Sequence, residues 1–586
     1  MAKFLSALMA GVLLATPVGA AAAPQDDLAR VIADHWAWYL RNSPVFATSI
    51  GVRDYDAEIG DYSLAQADRQ AAEAAAFLQR LDAIPDARLD AAGRTNKAVL
   101  SRMLRETVDG NRFPQRQVLF TSYYNPVQSV AGMADNLPFQ SARDYESYLT
   151  RLAKFPAQMA EVIAISRAAA TGGLAQPCVT LGGFEQSVSG VIVDDPAQSR
   201  IYEPFTRTRP ADVSEAAWRN LQGRARALIT EQLQPSFAGF ASFFRDEYLP
   251  RCRQNVGVSS TPEGAAYYAF RVAAETTTDM SPQAIHELGL SEVARIRAQM
   301  ETVAREAGFA GRAAFVEQLR TDARYYATTP EQLLAAAAWQ AKRIDGLMPR
   351  FFGRLPRLPY GVRAIPAETA EGTTTAYYGP GSPPSGIAGT YYVNTSKLPQ
   401  RPLYELPALT AHEAVPGHHH QIALQQELDL PDFRRYAAGF TAFVEGWGLY
   451  AERVGEDMGL YTTPAEKMGR LSYEMWRACR LVVDTGIHAF GWDKDRAVAF
   501  MADNTALSAA NIDAEVNRYI SWPGQALGYK VGEIRIRELR ARAEQALGPR
   551  FDIRGFHDAV LEQGAVPLDV LEGQVDAWIT SRRAAE

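Results

Sequence analysis

Apolar positions recur at three- and four-residue intervals through most of the chain, the repeat of helices that bury one face. Leu28 to Leu40 shows it first, with His35, Trp36 and Trp38 inside the pattern. Ala65 to Leu81 is rich in Ala, Gln, Glu and Arg, which are strong helix formers. Further helical patterns run over Ser141–Ala170, Ser214–Phe243, Pro282–Glu306, Pro330–Leu347 and Met468–Phe490. The start at Pro282 is marked: Ser281 is a good N-cap and proline suits the first helical turn. Long alternating strands and Asn-Gly hairpin signals are scarce, and no fixed repeat is present. The pattern therefore predicts a mainly α protein.

One stretch breaks the helical rhythm. From Pro366 to Ser396 the chain is rich in Thr, Gly, Pro and Tyr, including Gly379-Pro380-Gly381-Ser382-Pro383-Pro384. That composition predicts irregular or turn structure. It ends in Gly389-Thr390-Tyr391-Tyr392-Val393-Asn394, whose β-branched and aromatic content predicts a short strand. A long loop feeding an ordered element is more often functional than decorative.

Length and composition narrow the class. The 586 residues are enough for one large body or two lobes, and 47% apolar with 22% charged residues is an ordinary globular balance. The net charge of −7 is spread without long single-sign blocks, so the basic stripe of a nucleic-acid binder is missing. At the start, Lys3 precedes an apolar run from Phe4 to Ala15, then Pro17, Gly19 and alanines, with Ala21 and Ala23 just before Pro24, Asp26 and Asp27. Residues 1–23 thus read as a cleavable secretory signal, too short in its apolar part for a stable anchor. Residues 24–586 read as one large helical domain, with two lobes around a cleft as a variant. A periplasmic or secreted protein can form disulfides. Of Cys178, Cys252 and Cys479, the first two are the favoured pair.

Four of the eight histidines lie between His412 and His420, a density that packing does not explain. The segment reads His412-Glu413-Ala-Val-Pro416-Gly417-His418-His419-His420. Zinc peptidases of the common helical type place two histidines at i and i+4, with a glutamate beside the first. Here the second histidine stands at i+6, about 240° around a regular helix. Pro416 and Gly417 break the helix and allow a kink that returns His418 to ligand position. His419 is the competing second ligand and His420 a less favoured one. Glu413 is placed as the general base that takes a proton from the attacking water. A catalytic zinc takes three protein ligands, and Glu445, set among Phe443, Val444, Trp447 and Leu449, is a carboxylate in need of a partner. Glu452, two turns on, either orients a histidine or pairs with an arginine.

Two later stretches add candidates. Arg480, Asp484 and His488 recur every four residues, and His488 is weighed as an oxyanion or substrate group against a structural role. The stretch Arg518-Tyr519-Ile-Ser-Trp522-Pro-Gly524-Gln-Ala-Leu-Gly-Tyr529-Lys530 is dense in hydrogen-bonding groups. A tyrosine hydroxyl near the metal would donate to the tetrahedral intermediate. Tyr529 is the first choice and Tyr519 the second, with core packing as the alternative. Arg518, Tyr519 and Asn394 are candidate substrate-binding residues. Arg518 or Lys530 at a substrate carboxylate would imply carboxypeptidase action.

The motifs His412-Glu413-Ala-Val-Pro-Gly-His418-His419, Glu445-Gly-Trp-Gly-Leu-Tyr-Ala-Glu452, Arg480-Leu-Val-Val-Asp484-Thr-Gly-Ile-His488 and Trp522-Pro-Gly-Gln-Ala-Leu-Gly-Tyr529 resemble a bacterial family catalogued as domain of unknown function 885. Ser43-Pro44 through Gly51, His286-Glu287-Leu-Gly289 and Phe556-His557 through Pro567-Leu568 also fit, so the resemblance spans nearly the whole mature chain. That family looks like a distant branch of the zinc metallopeptidases that include thermolysin-like and mostly helical oligopeptidases. The resemblance implies a helical body divided by a deep cleft, with one zinc held by His412, His418 and Glu445 and with Glu413 as base. The expected function is hydrolysis of small peptides by an exported zinc enzyme. Hydrolysis of another amide and non-catalytic zinc binding are the alternatives.

Overall fold

In the computed structural model, which describes residues 24–371 and 373–584, helices follow one another along nearly the whole chain. The expected leader, residues 1–23, lies outside the described residues. Each helix expected from periodicity is present. Pro24–Asn42, Leu64–Asp82, Pro330–Asp345 and α1 (Pro282–Glu306) match within a few residues. Ser281 caps α1 as its sequence implies, its hydroxyl accepting the Ala284 N–H at 3.2 Å. The Ser141–Ala170 pattern divides into Ala142–Leu152 and Phe155–Thr171, where Pro156 starts a new first turn.

Two apolar cores are built. One uses residues from Phe120 to Tyr248, with Tyr145 packed edge-on against Trp218 and tilted against Phe205. The other joins segments before and after it, from Leu28 to Ile579. A disulfide, Cys178–Cys252, ties the middle of the first segment to its end, as the pairing favoured from sequence has it; Cys479 is buried and free. No helix among the described residues is long and apolar enough to cross a membrane.

Six helices of the second core frame the histidine segment: α2 (Leu406–Glu413), α3 (His418–Glu427), α4 (Thr441–Asp457), α5 (Pro464–His488), α6 (Ala509–Ser521) and α7 (Gly528–Leu547). α5 packs along α1, and α4 packs along α7. The second contact is unusually close. A Cβ on Gly446 would lie 2.6 Å from the Gly532 Cα, and one on Gly532 would lie 1.7 Å from the Ala442 carbonyl oxygen. Only glycine at both positions lets the backbones meet.

In and just before the irregular stretch there is more strand than expected. β1 (Tyr360–Ala364), β2 (Ala376–Gly379) and β3 (Gly389–Val393) form one sheet in the order β1-β3-β2. β3, the strand expected from sequence, is central; β1 pairs with it in parallel and β2 antiparallel. β1 and β2 are short and lack an alternating apolar pattern, so their pairing with β3 makes them strands rather than any local preference. β3 buries Gly389, Tyr391 and Val393 on one face, and the Tyr391 hydroxyl lies 3.5 Å from the Thr410 hydroxyl on α2. The sheet thus backs the histidine segment.

Candidate metal centre

The kink expected at Pro416-Gly417 is present. α2 ends at Glu413, the Val415–Pro416 bond is cis, and α3 begins at His418. A Cβ on Gly417 would sit 1.9 Å from the His412 carbonyl oxygen, so no larger residue fits this turn. Trp447 of α4, fully buried, donates its indole N–H to the Pro416 carbonyl at 2.8 Å and ties the kink to the facing helix.

The kink brings His418 beside His412. Their rings are 4.7 Å apart and nearly perpendicular. Glu445 of α4 faces both: its Oε2 lies 3.4 Å from His412 Nε2 and 3.3 Å from His418 Nε2. All three donor atoms fall within 4.8 Å of one another. Ligand atoms at about 2.0–2.1 Å on tetrahedral corners are separated by roughly 3.3–3.4 Å, so both spacings to Glu445 suit one zinc-sized ion. The buried Glu445 Oε2 and His418 Nδ1 also lack hydrogen-bond partners, a costly arrangement unless a cation meets the carboxylate. Two imidazoles and a carboxylate are a zinc-type donor set, so the residues fit the ion their order suggested.

Glu452 lies two turns along α4 from Glu445, on the same face. Its Oε1 is 2.9 Å from His412 Nδ1 and 3.2 Å from an Arg477 nitrogen. Both readings of Glu452 are therefore realised at once. A carboxylate on Nδ1 fixes the tautomer that leaves Nε2 free for a metal. Burial alone pushes the His412 pKa down, but Glu445 and Glu452 outweigh it and raise it to about 9. Burial likewise pushes Glu445 up, and the two histidines overcome this and hold it well below the carboxylate range. Without an ion the cluster attracts protons, as a cation-binding pocket should.

Glu413 follows His412 at the end of α2, 8% exposed, with no hydrogen bond or ion pair among the described residues. Its carboxylate is therefore not committed elsewhere. The Tyr529 ring lies 6.2 Å from the His412 ring and nearly parallel to it, and Glu445 acts on the Tyr529 phenol electrostatically. Burial raises the Tyr529 pKa, so it stays a hydrogen-bond donor. The Tyr529 hydroxyl accepts from Arg518 at 3.0 Å, and Gln525 accepts from the same guanidinium nitrogen at 2.8 Å. Tyr529 and Arg518 thus join the centre.

Other sequence candidates do not. His419 turns to the sheet: its Nδ1 is 3.0 Å from the Tyr378 hydroxyl and its ring packs on Tyr360. His420 packs on Phe352. Of the three, His418 is the one whose donor atom converges with those of His412 and Glu445. His488 is corrected to a structural residue. The Val258 N–H donates to its Nδ1 at 3.0 Å, and its Nε2 lies 2.9 Å from the Tyr519 carbonyl oxygen, so neither nitrogen is free. Burial lowers its pKa to about 4, keeping it neutral. Tyr519 is also withdrawn from substrate binding, because its hydroxyl accepts from Trp476 at 2.8 Å and Arg480 at 3.0 Å inside the core. Asn394 is withdrawn as well: fully buried, it donates to the carbonyls of Ala370, Thr373 and Thr374 and holds the loop beside β3. Lys530 is surrounded by Glu474, Glu533 and Glu292 and has no room for a substrate carboxylate.

The Arg480, Asp484, His488 stripe has a different task from the one its spacing suggested. Arg480 pairs with Glu515 at 2.7 Å, while Asp484 accepts from Tyr268 at 2.6 Å and from the Gly524 N–H at 3.2 Å. The stripe fastens α6, which carries Arg518, and the Trp522–Leu527 turn that leads into Tyr529 on α7. Sequence reasoning passed over Arg477 and Gly448. An arginine inside the apolar face of α5 signals a buried partner, and a glycine inside a helix costs about 1 kcal/mol without a packing reason. That reason is the His412 ring, 2.7 Å from where a Gly448 Cβ would stand.

A cavity of about 840 Å³ opens beside α3 and α4, walled by residues such as Phe46, Ile50, Val130, Ile387, Ile422 and Val444. None of the three cluster residues lines it; Val444, next to Glu445, and Gln421, one turn beyond His418, do.

Fold and site together define a mainly helical protein with a buried cluster of two histidines and one carboxylate in metal-ligand array. More particularly, the chain belongs to the family described as bacterial protein of unknown function (DUF885), whose pattern matches residues 44–575. No curated protein matches it. Among solved structures it is similar to a protein from Colwellia psychrerythraea provisionally described as a lipoprotein, with 27% identity, a TM-score of 0.89, and 96% of this chain and 100% of that one covered. A protein of unknown function from Shewanella oneidensis, also provisionally described as a lipoprotein, shares the fold, at 18% identity, a TM-score of 0.69, and 94% and 99% coverage.

Proposed function

We propose that this protein is an exported zinc-dependent peptidase that hydrolyses small peptides. The observation that carries the reading is the convergence of His412, His418 and Glu445 donor atoms within 4.8 Å, next to an uncommitted Glu413. His412, His418 and Glu445 would hold the ion, and a bound zinc supplies a Lewis acid that polarises a carbonyl and acidifies water. Glu413 takes the proton from the attacking water and returns it to the leaving amine. The C–N bond breaks, the water oxygen stays on the carbonyl carbon, and the hydrogens end on the new acid and amine. The Tyr529 phenol donates to the oxygen on which negative charge develops. Glu452, backed by Arg477, keeps the His412 ring in place. The adjoining cavity is of a size that suits small ligands. Export is supported by the leader-like residues 1–23 and by the disulfide, which needs an oxidising compartment.

Metal analysis of purified protein, combined with digestion of an unbiased peptide library before and after chelation, tests this reading. About one zinc per chain and chelator-sensitive cleavage are expected. Stoichiometric zinc without any peptide cleavage removes the peptidase assignment; absence of zinc, with activity indifferent to chelation, removes the metal as well.

A further inference from the structure

The guanidinium of Arg518 lies beside the centre with no carboxylate at hydrogen-bond distance. Its nearest carboxylate oxygen is Glu515 Oε1, 3.8 Å from Nη1. The other Glu515 oxygen is already held by Arg480 at 2.7 Å. One carboxylate thus serves two arginines at close range. Nη2 binds two neutral oxygens, of Gln525 and Tyr529, and Nε is buried with no partner. A buried, incompletely paired guanidinium is costly unless an anion completes it. The Nη1 end, whose nearest anionic oxygen is 3.8 Å away, is the part left to meet a carboxylate.

Position adds a second constraint. Arg518 reaches the centre through one side chain, Tyr529, whose hydroxyl it binds and whose ring stands 6.2 Å from His412. Glu445 acts electrostatically on both Arg518 and Tyr529. An anion on Arg518 would therefore be separated from the cluster by the Tyr529 side chain. The outward side is open: Tyr123 and Trp522 are 45% and 40% exposed, and Arg518 lies 5.4 Å and 6.0 Å from their ring centres.

We propose that Arg518, oriented by Gln525 and Tyr529, binds the free C-terminal carboxylate of a short peptide, so that the enzyme removes residues one at a time from the C-terminus. This rests on the peptidase reading above. Water adds across the last peptide bond, and the products are a peptide shorter by one residue and a free amino acid.

The test uses the full zinc-loaded protein and pairs of six-residue peptides that differ only in a free or amidated C-terminus, followed by mass spectrometry. Single-residue trimming of the free acid is expected, with kcat/KM at least about 100-fold above the amide, as befits loss of a buried charge partner. In Arg518→Gln that ratio collapses toward one while zinc content is retained; Arg518→Lys, which keeps the charge without the fork, recovers part of it. A purely structural arginine would lower both rates and leave the ratio intact, which overturns the proposal. So does wild-type cleavage of acid and amide at equal rates, or equally fast cleavage of an amidated peptide ending in Glu. Calorimetry on Glu413→Gln with the same pairs gives a readout free of turnover. At least tenfold tighter binding of the acid is expected, and equal affinity rejects the subsite. If no peptide is hydrolysed, the peptidase reading falls, and this binding comparison still decides the subsite.

Discussion

Replacing Gly448 by alanine should separate the proposed metal binding from folding. The added methyl group would stand 2.7 Å from Cε1 of the His412 ring, 2.8 Å from Nε2 and 3.1 Å from Nδ1. Ordinary contact begins near 3.4 Å, so the ring has to retreat by about 0.7 Å. Metal–ligand distances tolerate only about 0.2 Å. The ring cannot swing aside freely, because Glu452 holds Nδ1 at 2.9 Å and the residue is 2% exposed. Overpacking of this kind costs about 1–3 kcal/mol. Alanine in a helix interior returns about 1 kcal/mol relative to glycine. The fold should therefore lose little, while zinc affinity should fall by tenfold or more, the effect expected when a ligand loses its orientation. Competition with a chromophoric chelator gives the affinity, and thermal melting of the metal-free protein gives the fold. Unchanged zinc affinity in Gly448→Ala would refute the placement of His412 as a ligand.

Other outcomes follow from the same geometry. Glu413→Gln should keep zinc and lose turnover by about 10²–10⁴-fold, measured as kcat on any cleaved peptide; full activity would remove Glu413 as the base. Glu452→Gln should weaken zinc about 10–100-fold in the chelator competition. Zinc should raise Tm in a concentration-dependent way, an effect abolished in His418→Ala and retained in His419→Ala; the reverse pattern would make His419 the ligand. Asp484 is pushed up by burial from 3.8 to about 7, so the folded chain holds a proton that the unfolded chain releases between those values. Its contribution is complete below about pH 4 and is lost as pH rises toward 7. Asp484→Asn should flatten that part of the stability-versus-pH curve from urea titrations; an unchanged slope relative to wild type would exclude Asp484 as its source.

Helices were legible because each buries one face, and their period survives in a single sequence. Ser281-Pro282 even located the first turn of α1. The metal-type trio was legible through residue type, from clustered histidines and a glutamate in an apolar run, although His419 and His420 of that cluster turn out to pack on Tyr360 and Phe352. The roles of later residues were less so, because they depend on which backbone groups come near. Nothing in the spacing of Arg480, Asp484 and His488 says that the Val258 N–H and the Tyr519 carbonyl flank His488. Asn394 ends a strand that does back the centre, yet its amide is consumed by three carbonyls of its own loop. β1 and β2 were missed for a related reason, since their state is set by the partner strand.

The two residues inserted between the histidines account for several separate features. On an unbroken helix His418 would point about 240° away from His412, so the chain has to leave the helix and re-enter it. Pro416 ends α2, Gly417 accepts a turn with no room for a Cβ, and α3 restarts at His418. Breaking the helix leaves the Pro416 carbonyl in need of a donor, and Trp447 supplies it. Trp447 lies between Gly446 and Gly448, which lets α4 press against α7 on one side and against His412 on the other. The same helix carries Glu445 and Glu452, one on each ring nitrogen of His412. The Glu-Gly-Trp-Gly run is therefore the counterpart of the Pro-Gly kink. Removing the two inserted residues alone would restore an ordinary i+4 spacing, yet would strip Trp447 of its acceptor and misplace the facing carboxylates.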